Sequence, residues 1–336
     1  MMRVFYTDQF VLPLPPGHRF PMRKYALLRA RVAAVAGDLL EVPPGATDDE
    51  LSLAHDPGYI AAVSTGRLDE RALRRIGFPW SPAMVERSRR STGATIAACR
   101  SALGTGCGIS LAGGTHHAHR DFGEGFCVFN DAAVAARVVQ REARARRVLI
   151  VDLDVHQGDG TAAILAGDDT VFTLSIHGRN NFPFRKAASC LDVELDDGTG
   201  DDDYLAALRA ALPRALEGAR PHLAICLAGA DPYVGDRLGR LALTKDGLAR
   251  RDTYVLDTLR AKGVPAAVVM AGGYAESIDD IVDIHFATVR LALERFAGRR
   301  VLDFVSCPSP HAAAVERASS PIGEVAATAE PPPTDE

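Results

Sequence analysis

Two carboxylates and a histidine alternate at the end of an apolar run in the middle of the chain. Asp152, Asp154 and His156 follow Val148–Val151, a β-branched run typical of a strand that is buried on both faces. Strand side chains alternate with a period of two, so a strand over Val148–Val155 would project all three groups from one face. Buried charges need a compensating partner, and a divalent metal ion supplies one directly. The alternative is a strand end in solvent, where the acids are simply hydrated.

The segment Leu111–Asp131 carries two adjacent histidines, His116 and His117, after a short apolar run and a Gly-Gly turn. Imidazole titrates near neutral pH, and a carboxylate behind each ring can fix its tautomer, so such a pair is suited to proton transfer. The neighbouring motif offers two carboxylates for this purpose, Asp152 and Asp159. A single histidine in such a place would more simply be a satisfied core residue. The pairing with two carboxylates favours catalysis instead.

Two further apolar segments also end in polar groups. Leu223–Asp231 ends in an acid, and Val268–Tyr274 ends in Gly-Gly-Tyr. Open parallel sheets build their sites outside the carboxyl ends of their strands. We therefore expect these groups to meet the histidine pair and the alternating acids at one edge of a sheet.

Predicted strands and helices alternate along most of the chain. Strands are predicted at Val4–Tyr6, Ile109–Ala112, Val148–Val155, Val171–Ile176, Leu191–Leu195, Leu223–Ala228 and Ala266–Met270. The main helices are predicted at Lys24–Leu40, Ser81–Leu103, Asp131–Ala143, Asp201–Glu217, Lys245–Lys262 and Ser277–Phe296. This alternation predicts a single-domain α/β fold, a mainly parallel β-sheet with helices on both faces.

The two ends of the chain differ in composition. Residues 1–300 contain the alternating elements without an internal repeat or a linker, and we expect them to form one catalytic domain. Residues 301–336 are of low complexity. From about Pro308 onward they consist largely of Ala, Ser, Pro, Thr and Glu and end in PPPTDE. Such a composition predicts a disordered tail.

Overall composition excludes several classes of protein. The chain has 336 residues, of which 47% are hydrophobic, enough for a large core. Its net charge of −5 argues against a general binder of nucleic acid or membrane surfaces, which would be basic. The start, MMRVFYTDQF, is not a signal peptide, and no apolar run reaches the ~18 residues of a membrane span. The six cysteines lack C-x-x-C spacing, which favours buried free thiols and a cytoplasmic protein. The oligomeric state stays open.

Six motifs together resemble the zinc-dependent histone deacetylase family. In chain order they are GGTHHA, GFCVFND, DLDVHQGDGT, TLSIHG, AGADPYVGDRLG and AGGY. Further segments look most like the class IV branch and its bacterial relatives: His18–Arg29, Ile76–Pro82, Asn181–Lys186 and Gly235–Asp252. The resemblance covers roughly residues 1–300 and depends on the ordered series rather than on any single motif. It implies an arginase/deacetylase-like fold and hydrolysis of an acylated amine.

The resemblance implies one catalytic metal ion, Zn²⁺, with Asp154, His156 and Asp231 as its ligands. Three protein ligands leave a position open for water and the substrate carbonyl, as in catalytic rather than structural zinc sites. Oxygen-rich ligands also fit Fe²⁺. The ion would lower the pKa of its water and polarise an amide carbonyl.

The resemblance also assigns catalytic roles. His117 would take the proton of the attacking water and pass it to the leaving amine, with Asp159 as its orienting partner. His116, backed by Asp152, would supply positive charge or share that role, and the sequence does not rank the two histidines. Tyr274 would donate its hydroxyl to the developing oxyanion. The sequence gives no catalytic role to His119 or His177.

Two further groups of residues match family positions. A narrow channel for the acyl-lysine arm is predicted to involve Gly125, Phe126, Phe182, Phe184, Gly272 and Gly273. Phe126 would form one wall and Phe182 or Phe184 the facing wall, with ordinary core packing as the alternative. A structural K⁺ site is predicted at Asp152, Asp154, His156, Ser175 and Ile176.

One departure from the family concerns the substrate. Many lysine deacetylases carry an aspartate before the long helix that grips the peptide backbone, but Gly77–Glu86 contains none. An acylated lysine in a protein or peptide therefore competes with an acetylated small amine as the substrate, and longer acyl chains also stay open.

Two other function classes remain as alternatives. A binuclear metal ureohydrolase shares the general sheet architecture but needs further metal ligands, where this chain has Gly158 and Gly229. A non-catalytic, metal-stabilised module that binds acyl-lysine would keep the pocket. Such a module would have no need of the proton-transferring pair His116 and His117.

Overall fold

A parallel sheet of eight strands runs through the part of the chain that a computed structural model describes, residues 1–299. Its strands are β1 (Val4–Phe5), β2 (Leu40–Glu41), β3 (Cys107–Ser110), β4 (Val148–Asp152), β5 (Val171–Gly178), β6 (Leu191–Leu195), β7 (Leu223–Ala228) and β8 (Ala266–Met270). They lie in the order β2-β1-β3-β8-β7-β4-β5-β6, with every neighbouring pair parallel. The predicted tail, residues 301–336, lies outside the described residues.

Helices cover both faces of this sheet. They are α1 (Arg23–Ala36), α2 (Asp48–Leu51), α3 (Pro57–Thr65), α4 (Glu70–Ile76), α5 (Pro82–Thr105), α6 (Asp131–Arg141), α7 (Asp159–Leu165), α8 (Asp201–Ala219), α9 (Lys245–Ala261) and α10 (Ile278–Phe296). Helix α5 packs on β3, β8 and α6, whereas α8 packs on β5 and α9, and α10 lies against α9 and α1. The predicted α/β fold with a parallel sheet is confirmed.

The central strands β4, β7 and β8 are buried along their whole length. Their sequences, VLIVD, LAICLA and AAVVM, are apolar runs typical of parallel strands covered on both faces. The charged residue among them, Asp152, lies at the carboxyl end of β4, where the sheet meets the polar loops. Within residues 1–299, no helix has both the length and the apolar character needed to cross a membrane.

Short elements depart most from the predictions. The predicted helix Lys24–Leu40 is too long, because α1 ends at Ala36 and a 3₁₀ turn at Gly37–Leu39 leads into the edge strand β2. Glycine is a poor helix former, and a two-residue strand shows no periodicity. Helices α4 and α7, each of seven residues, lie outside the predicted helices, since two turns show little amphipathic repetition.

The predicted strand Val148–Val155 is also too long, with a consequence for the site. β4 ends at Asp152, so Asp154 and His156 lie in the loop that follows it. Oδ1 of Asp152 accepts a hydrogen bond from the amide of Asp154 (3.2 Å), and Oδ1 of Asp154 accepts one from the amide of His156 (3.0 Å). Such local bonds from side chain to backbone compete with the strand ladder. The prediction that the three groups share one strand face is therefore wrong, and a loop brings them together instead.

Candidate metal centre and catalytic site

The three predicted metal ligands meet in one buried cluster. Nδ1 of His156 lies 3.0 Å from Oδ1 of Asp154 and 3.3 Å from Oδ2 of Asp231. One ligand atom from each residue falls within 4.8 Å of the others. The side chains come from the loops after β4 and β7, whose carboxyl ends are neighbours in the sheet. Two carboxylates and an imidazole therefore converge on one point.

Backbone amides hold the carboxylates in place. The amide of Val155 donates to Oδ1 of Asp231 (2.9 Å), and the amide of Gly272 donates to Oδ2 of Asp154 (2.7 Å). A Cβ at Gly272 would lie 1.9 Å from Oδ2 of Asp231 and 2.6 Å from Oδ2 of Asp154, so no side chain fits there. The loops after β4, β7 and β8 are thus tied together at the cluster.

The electrostatics of this cluster fit a divalent cation. Oδ2 of Asp231 is buried and has no hydrogen-bond partner among the described residues, since its contact with Nδ1 of His156 at 3.3 Å lacks hydrogen-bond geometry. Burial and the neighbouring Asp154 raise the pKa of Asp231 to about 7. Burial opposes charge on His156 as well, but the two carboxylates raise its pKa to about 10. Two buried carboxylates and an imidazole form a donor set that suits Zn²⁺ or Fe²⁺.

Each member of the histidine pair is bonded to its own carboxylate. Nδ1 of His116 lies 2.7 Å from Oδ2 of Asp152, and Nδ1 of His117 lies 2.7 Å from Oδ1 of Asp159. The two ring centroids are 4.2 Å apart. A carboxylate at Nδ1 fixes the tautomer of a neutral ring, so that Nε2 is the nitrogen able to accept a proton.

The two histidines differ in charge because their surroundings differ. Burial lowers the pKa of His116, but the negative charges of Asp152 and Asp154 raise it to about 9. Burial and the positive charge of His116 lower the pKa of His117 to about 4. These pKa values favour a cationic His116 and a neutral His117, whose Nε2 then carries a free lone pair, at neutral pH. Only the neutral ring can act as a general base.

His119, which has no role in the sequence-based predictions, shares the carboxylate of Asp159. Its Nε2 lies 3.1 Å from Oδ2 of Asp159 and 3.5 Å from Oε1 of Glu124. Burial lowers the pKa of His119, but these two acids raise it to about 9. Asp159 is thus held between two imidazoles, one from His117 and one from His119. The only sequence signal was the spacing of the HHAH motif.

Tyr274 lines the same pocket, directly after the Gly-Gly turn. Its amide donates to Oδ2 of Asp236 (2.6 Å), and its ring lies 5.9 Å from the ring of Phe126. Burial, Asp154 and Asp231 raise the pKa of the Tyr274 hydroxyl well above its ordinary value. The hydroxyl therefore stays protonated and remains a hydrogen-bond donor at neutral pH.

A pocket of about 630 Å³ leads to these groups. Of the predicted channel residues, those that line it are Gly125, Phe126, Phe182, Phe184 and Gly272. Gly273 is not among its lining residues; a Cβ there would lie 2.8 Å from Cγ2 of Ile281, so its role is close packing.

The channel walls explain why Gly125 and the two phenylalanines occupy these positions. A Cβ at Gly125 would lie 2.8 Å from Cδ2 of His117. Phe126, with φ of 66°, is fixed by its amide, which donates to the carbonyl of Ile76 (2.7 Å). The ring of Phe182 meets His117 edge-on at 4.9 Å, whereas Phe184 is 84% exposed. Phe182 therefore lies beside the histidine, and Phe184 lies at the outer rim.

The predicted K⁺ residues lie at the sheet edge beside the cluster. Asp152 and Ser175 are directly opposite one another in the β4–β5 pair, and Ile176 follows on β5. Oγ of Ser175 lies 2.9 Å from Nδ1 of His177. These contacts bring the residues together, and the K⁺ itself stays a prediction.

A buried arginine outside the predicted site connects two ligand loops. Nη1 of Arg251 donates to the carbonyls of Leu153 (3.1 Å) and Gly229 (2.8 Å), which lie just before Asp154 and Asp231 in the chain. The side chain is fully buried, and its Nε bonds Oδ1 of Asp252 at 2.8 Å. Arg251 lies on α9 within the family-like segment Gly235–Asp252, but no pattern in that segment indicates that its side chain bonds the two ligand loops.

A family model described as the histone deacetylase domain matches residues 18–289. The chain belongs to the histone deacetylase family. It is 45% identical over 292 residues to an uncharacterised protein of Picosynechococcus sp., covering 86% of this chain and 97% of the relative. It is 33% identical over 261 residues to the polyamine deacetylase HDAC10 of Rattus norvegicus, covering 70% of this chain but 44% of that protein. A solved histone deacetylase homologue from Aquifex aeolicus superposes with a TM-score of 0.76 at 24% identity, over 89% of this chain and 85% of that one.

The geometry also weakens the ureohydrolase alternative. A Cβ at Gly158 would lie 2.4 Å from Oδ2 of Asp152, and one at Gly229 would lie 2.7 Å from Cα of Asp154. Neither position has a side chain that could bind a second ion beside the cluster of Asp154, His156 and Asp231, and neither has room for one.

Proposed function

We propose that this histone deacetylase family member is a metal-dependent amidohydrolase that removes acetyl or longer acyl groups from lysine or a related amine. One observation carries the proposal. The buried cluster of Asp154, His156 and Asp231 and a histidine pair bonded to carboxylates lie together at the inner end of an aromatic pocket. A module that only binds acyl-lysine would need the pocket but not the histidine pair His116 and His117. We assign the catalytic domain to residues 1–300 and propose a cytoplasmic location.

Asp154, His156 and Asp231 would hold the ion, which we propose to be Zn²⁺, with Fe²⁺ as the alternative. When bound, such an ion supplies Lewis acidity toward the acyl carbonyl and toward water. A K⁺ ion beside Asp152 and Ser175 would be structural. No other part of the chemistry below depends on which divalent ion is present.

The remaining steps are carried by side chains of this chain. Nε2 of His117 accepts a proton as water adds to the acyl carbon and later donates it to the leaving amine, while Asp159 keeps the ring oriented. The cation of His116 stabilises the negative charge that develops nearby. The hydroxyl of Tyr274 donates a hydrogen bond to the carbonyl oxygen as it becomes an oxyanion. The carbon–nitrogen bond breaks, and the products are a carboxylate and a free amine.

The channel residues position the substrate. Phe126 and Phe182 would enclose the apolar arm of an acyl-lysine and exclude water from the reacting amide. Exclusion of water strengthens every electrostatic contact inside the pocket. The phenylalanines therefore contribute both to binding and to the strength of the polar groups at its end.

A fluorogenic acetyl-lysine substrate tests the proposal. We expect hydrolysis by the purified protein, loss of activity with a chelator, and recovery when Zn²⁺ or Fe²⁺ is added back. Binding of the substrate without any hydrolysis, with metal present, would favour the non-catalytic module. Urea release from a guanidino substrate would favour the ureohydrolase alternative.

A further inference from the structure

Four exposed arginines line the pocket near its opening: Arg19, Arg74, Arg75 and Arg240. Apart from the two carboxylates of the metal cluster, the acidic residue among the lining side chains is Glu124, which lies 3.5 Å from His119. The protein as a whole has a net charge of −5, so this positive opening opposes the overall charge.

Two of these arginines already form ion pairs with carboxylates of the protein. Nη1 of Arg74 pairs with Glu70 at 3.0 Å, and Nη1 of Arg240 pairs with Asp197 at 3.2 Å. Arg19 and Arg75 make no ion pair with any carboxylate in residues 1–299. Two guanidinium groups are therefore available to a ligand.

The backbone of Arg75 is fixed at the channel wall. Its carbonyl accepts a hydrogen bond from the amide of Gly125 (3.2 Å), and its guanidinium lies 4.7 Å from the centre of the Phe122 ring. Phe122 in turn stacks on His119, with ring centroids 4.3 Å apart. Arg75 therefore lines the pocket with a backbone that is bonded to the channel wall and an exposed side chain that contacts Phe122.

Arg19 is placed by its two neighbours. Nε2 of His18 lies 2.9 Å from the carbonyl of Gly77, and the ring of Phe20 lies 5.4 Å from the ring of Phe126. The chain on either side of Arg19 is therefore packed against the channel wall. Arg19 and Arg75 come from separate segments that both border Phe126.

We propose that the pocket selects acyl-lysine compounds that carry a carboxylate at the outer end of the lysine arm, and disfavours cationic acyl amines such as acetylated polyamines. This inference rests on the proposed function. Guanidinium groups bind carboxylates through paired hydrogen bonds and repel a second cation. The carboxylate would be either the α-carboxylate of a free or C-terminal acyl-lysine or a flanking acidic side chain of a peptide.

Three small substrates with the same acetyl group test the preference. They are Nε-acetyl-lysine blocked at both ends, the same compound with a free α-carboxylate, and N-acetylputrescine. We expect kcat/KM to be about threefold to tenfold higher for the carboxylate than for the neutral compound, and lowest for the cation. Raising the ionic strength from about 0.01 M to about 1 M should remove most of this difference, because screening then acts over about 3 Å.

Two peptides separate the sources of the carboxylate. Acetyl-lysine is placed between aspartates in one and between glutamines in the other. Preference for the free α-carboxylate alone identifies a small acyl amino acid, and preference for the aspartate peptide alone identifies an acidic peptide. Either result supports the proposal. Equal rates within both pairs of substrates would overturn it.

Charge variants locate the effect. In the double variant Arg19→Gln, Arg75→Gln we expect the ratio of kcat/KM for the carboxylate to that for the neutral compound to fall to about one. Arg75→Glu should reverse the preference. The matched control is Arg214→Gln, an exposed arginine on α8 that does not line the pocket, which should keep the wild-type ratio.

Retention of the ratio in the double variant, or its loss in the control, would refute the assignment. If the wild type hydrolyses neither the acetylated compounds nor the same compounds with longer acyl chains, the proposed function itself is wrong. If it hydrolyses them without regard to charge, only the inference about the arginines fails.

Discussion

His116 and His117 are adjacent and identical in chemistry, yet their environments shift their pKa values in opposite directions. The sequence predicted both rings and both carboxylate partners, and the structure pairs them at 2.7 Å. The sequence did not show which histidine is the general base, because that depends on distances between residues that are far apart in the chain. Nε2 of His116 lies 3.8 Å from Oδ1 of Asp154, and this contact helps to keep His116 charged.

We expect His117→Ala to reduce kcat by about 10²–10⁴-fold while metal content stays at the wild-type level. The reason is that His117 provides the neutral Nε2 needed to accept a proton. Steady-state kinetics and metal analysis of the purified variant measure both quantities. His116→Ala is the matched comparison, and a larger loss in that variant across the pH profile would reverse the two roles.

The Tyr274→Phe substitution removes a single hydroxyl. We expect kcat to fall by about 10²–10³-fold, because an oxyanion donor acts more strongly in the transition state than in the ground state. The ring keeps its contacts with Phe126, so thermal stability and metal content should be preserved. A kcat within about threefold of wild type would show that the hydroxyl has no oxyanion role and would strengthen the binding-module alternative.

At the scale of elements, long apolar segments were predictable and loops were not. β7 and β8 match the predicted Leu223–Ala228 and Ala266–Met270 because continuous apolar runs report burial directly. The spacing of Asp152, Asp154 and His156 predicted residues that do come together, but the predicted geometry, one face of a single strand, is wrong. Bonds from side chain to backbone end β4 early, and no periodicity signals where they form.

Arg251 shows how one helix supports two ligand loops. Replacement by methionine would leave the carbonyls of Leu153 and Gly229 without their donor and would remove the partner of Asp252. Breaking a buried ion pair in this way destabilises by about 3–5 kcal/mol. We therefore expect Arg251→Met to lower the free energy of unfolding by several kcal/mol and to weaken metal binding, as measured by urea denaturation and metal titration.

The adjacent arginine provides the control for that experiment. Arg250 is exposed and pairs at 3.2 Å with Asp202, whose side chain is 91% exposed. Arg250→Met should change the free energy of unfolding by less than about 0.5 kcal/mol. Equal stability of the two variants would mean that Arg251 does not hold the ligand loops.

At the scale of the molecule, the ligand cluster ties together loops from three neighbouring central strands, so metal binding should stabilise the whole domain. A ligand at 100 times its Kd stabilises the folded state by about 2.7 kcal/mol. In the metal-free protein, by contrast, Asp231 makes the folded state less stable as the pH rises. Its pKa rises from 3.8 to about 7 on folding, so stability falls as the pH increases through this range.

In the Asp231→Ala variant, the thermal stability of the protein should therefore no longer depend on added metal. We expect the metal-free variant to be at least as stable as the metal-free wild type above pH about 7, since a buried carboxylate has been removed. Added Zn²⁺ should raise the thermal midpoint of the wild type but not that of the variant, which has lost one of three ligands. Asp202→Ala, an exposed acid on α8, should respond to Zn²⁺ as the wild type does. Wild-type metal content and a full thermal shift in Asp231→Ala would place the metal elsewhere, because the variant lacks one of the three proposed ligands.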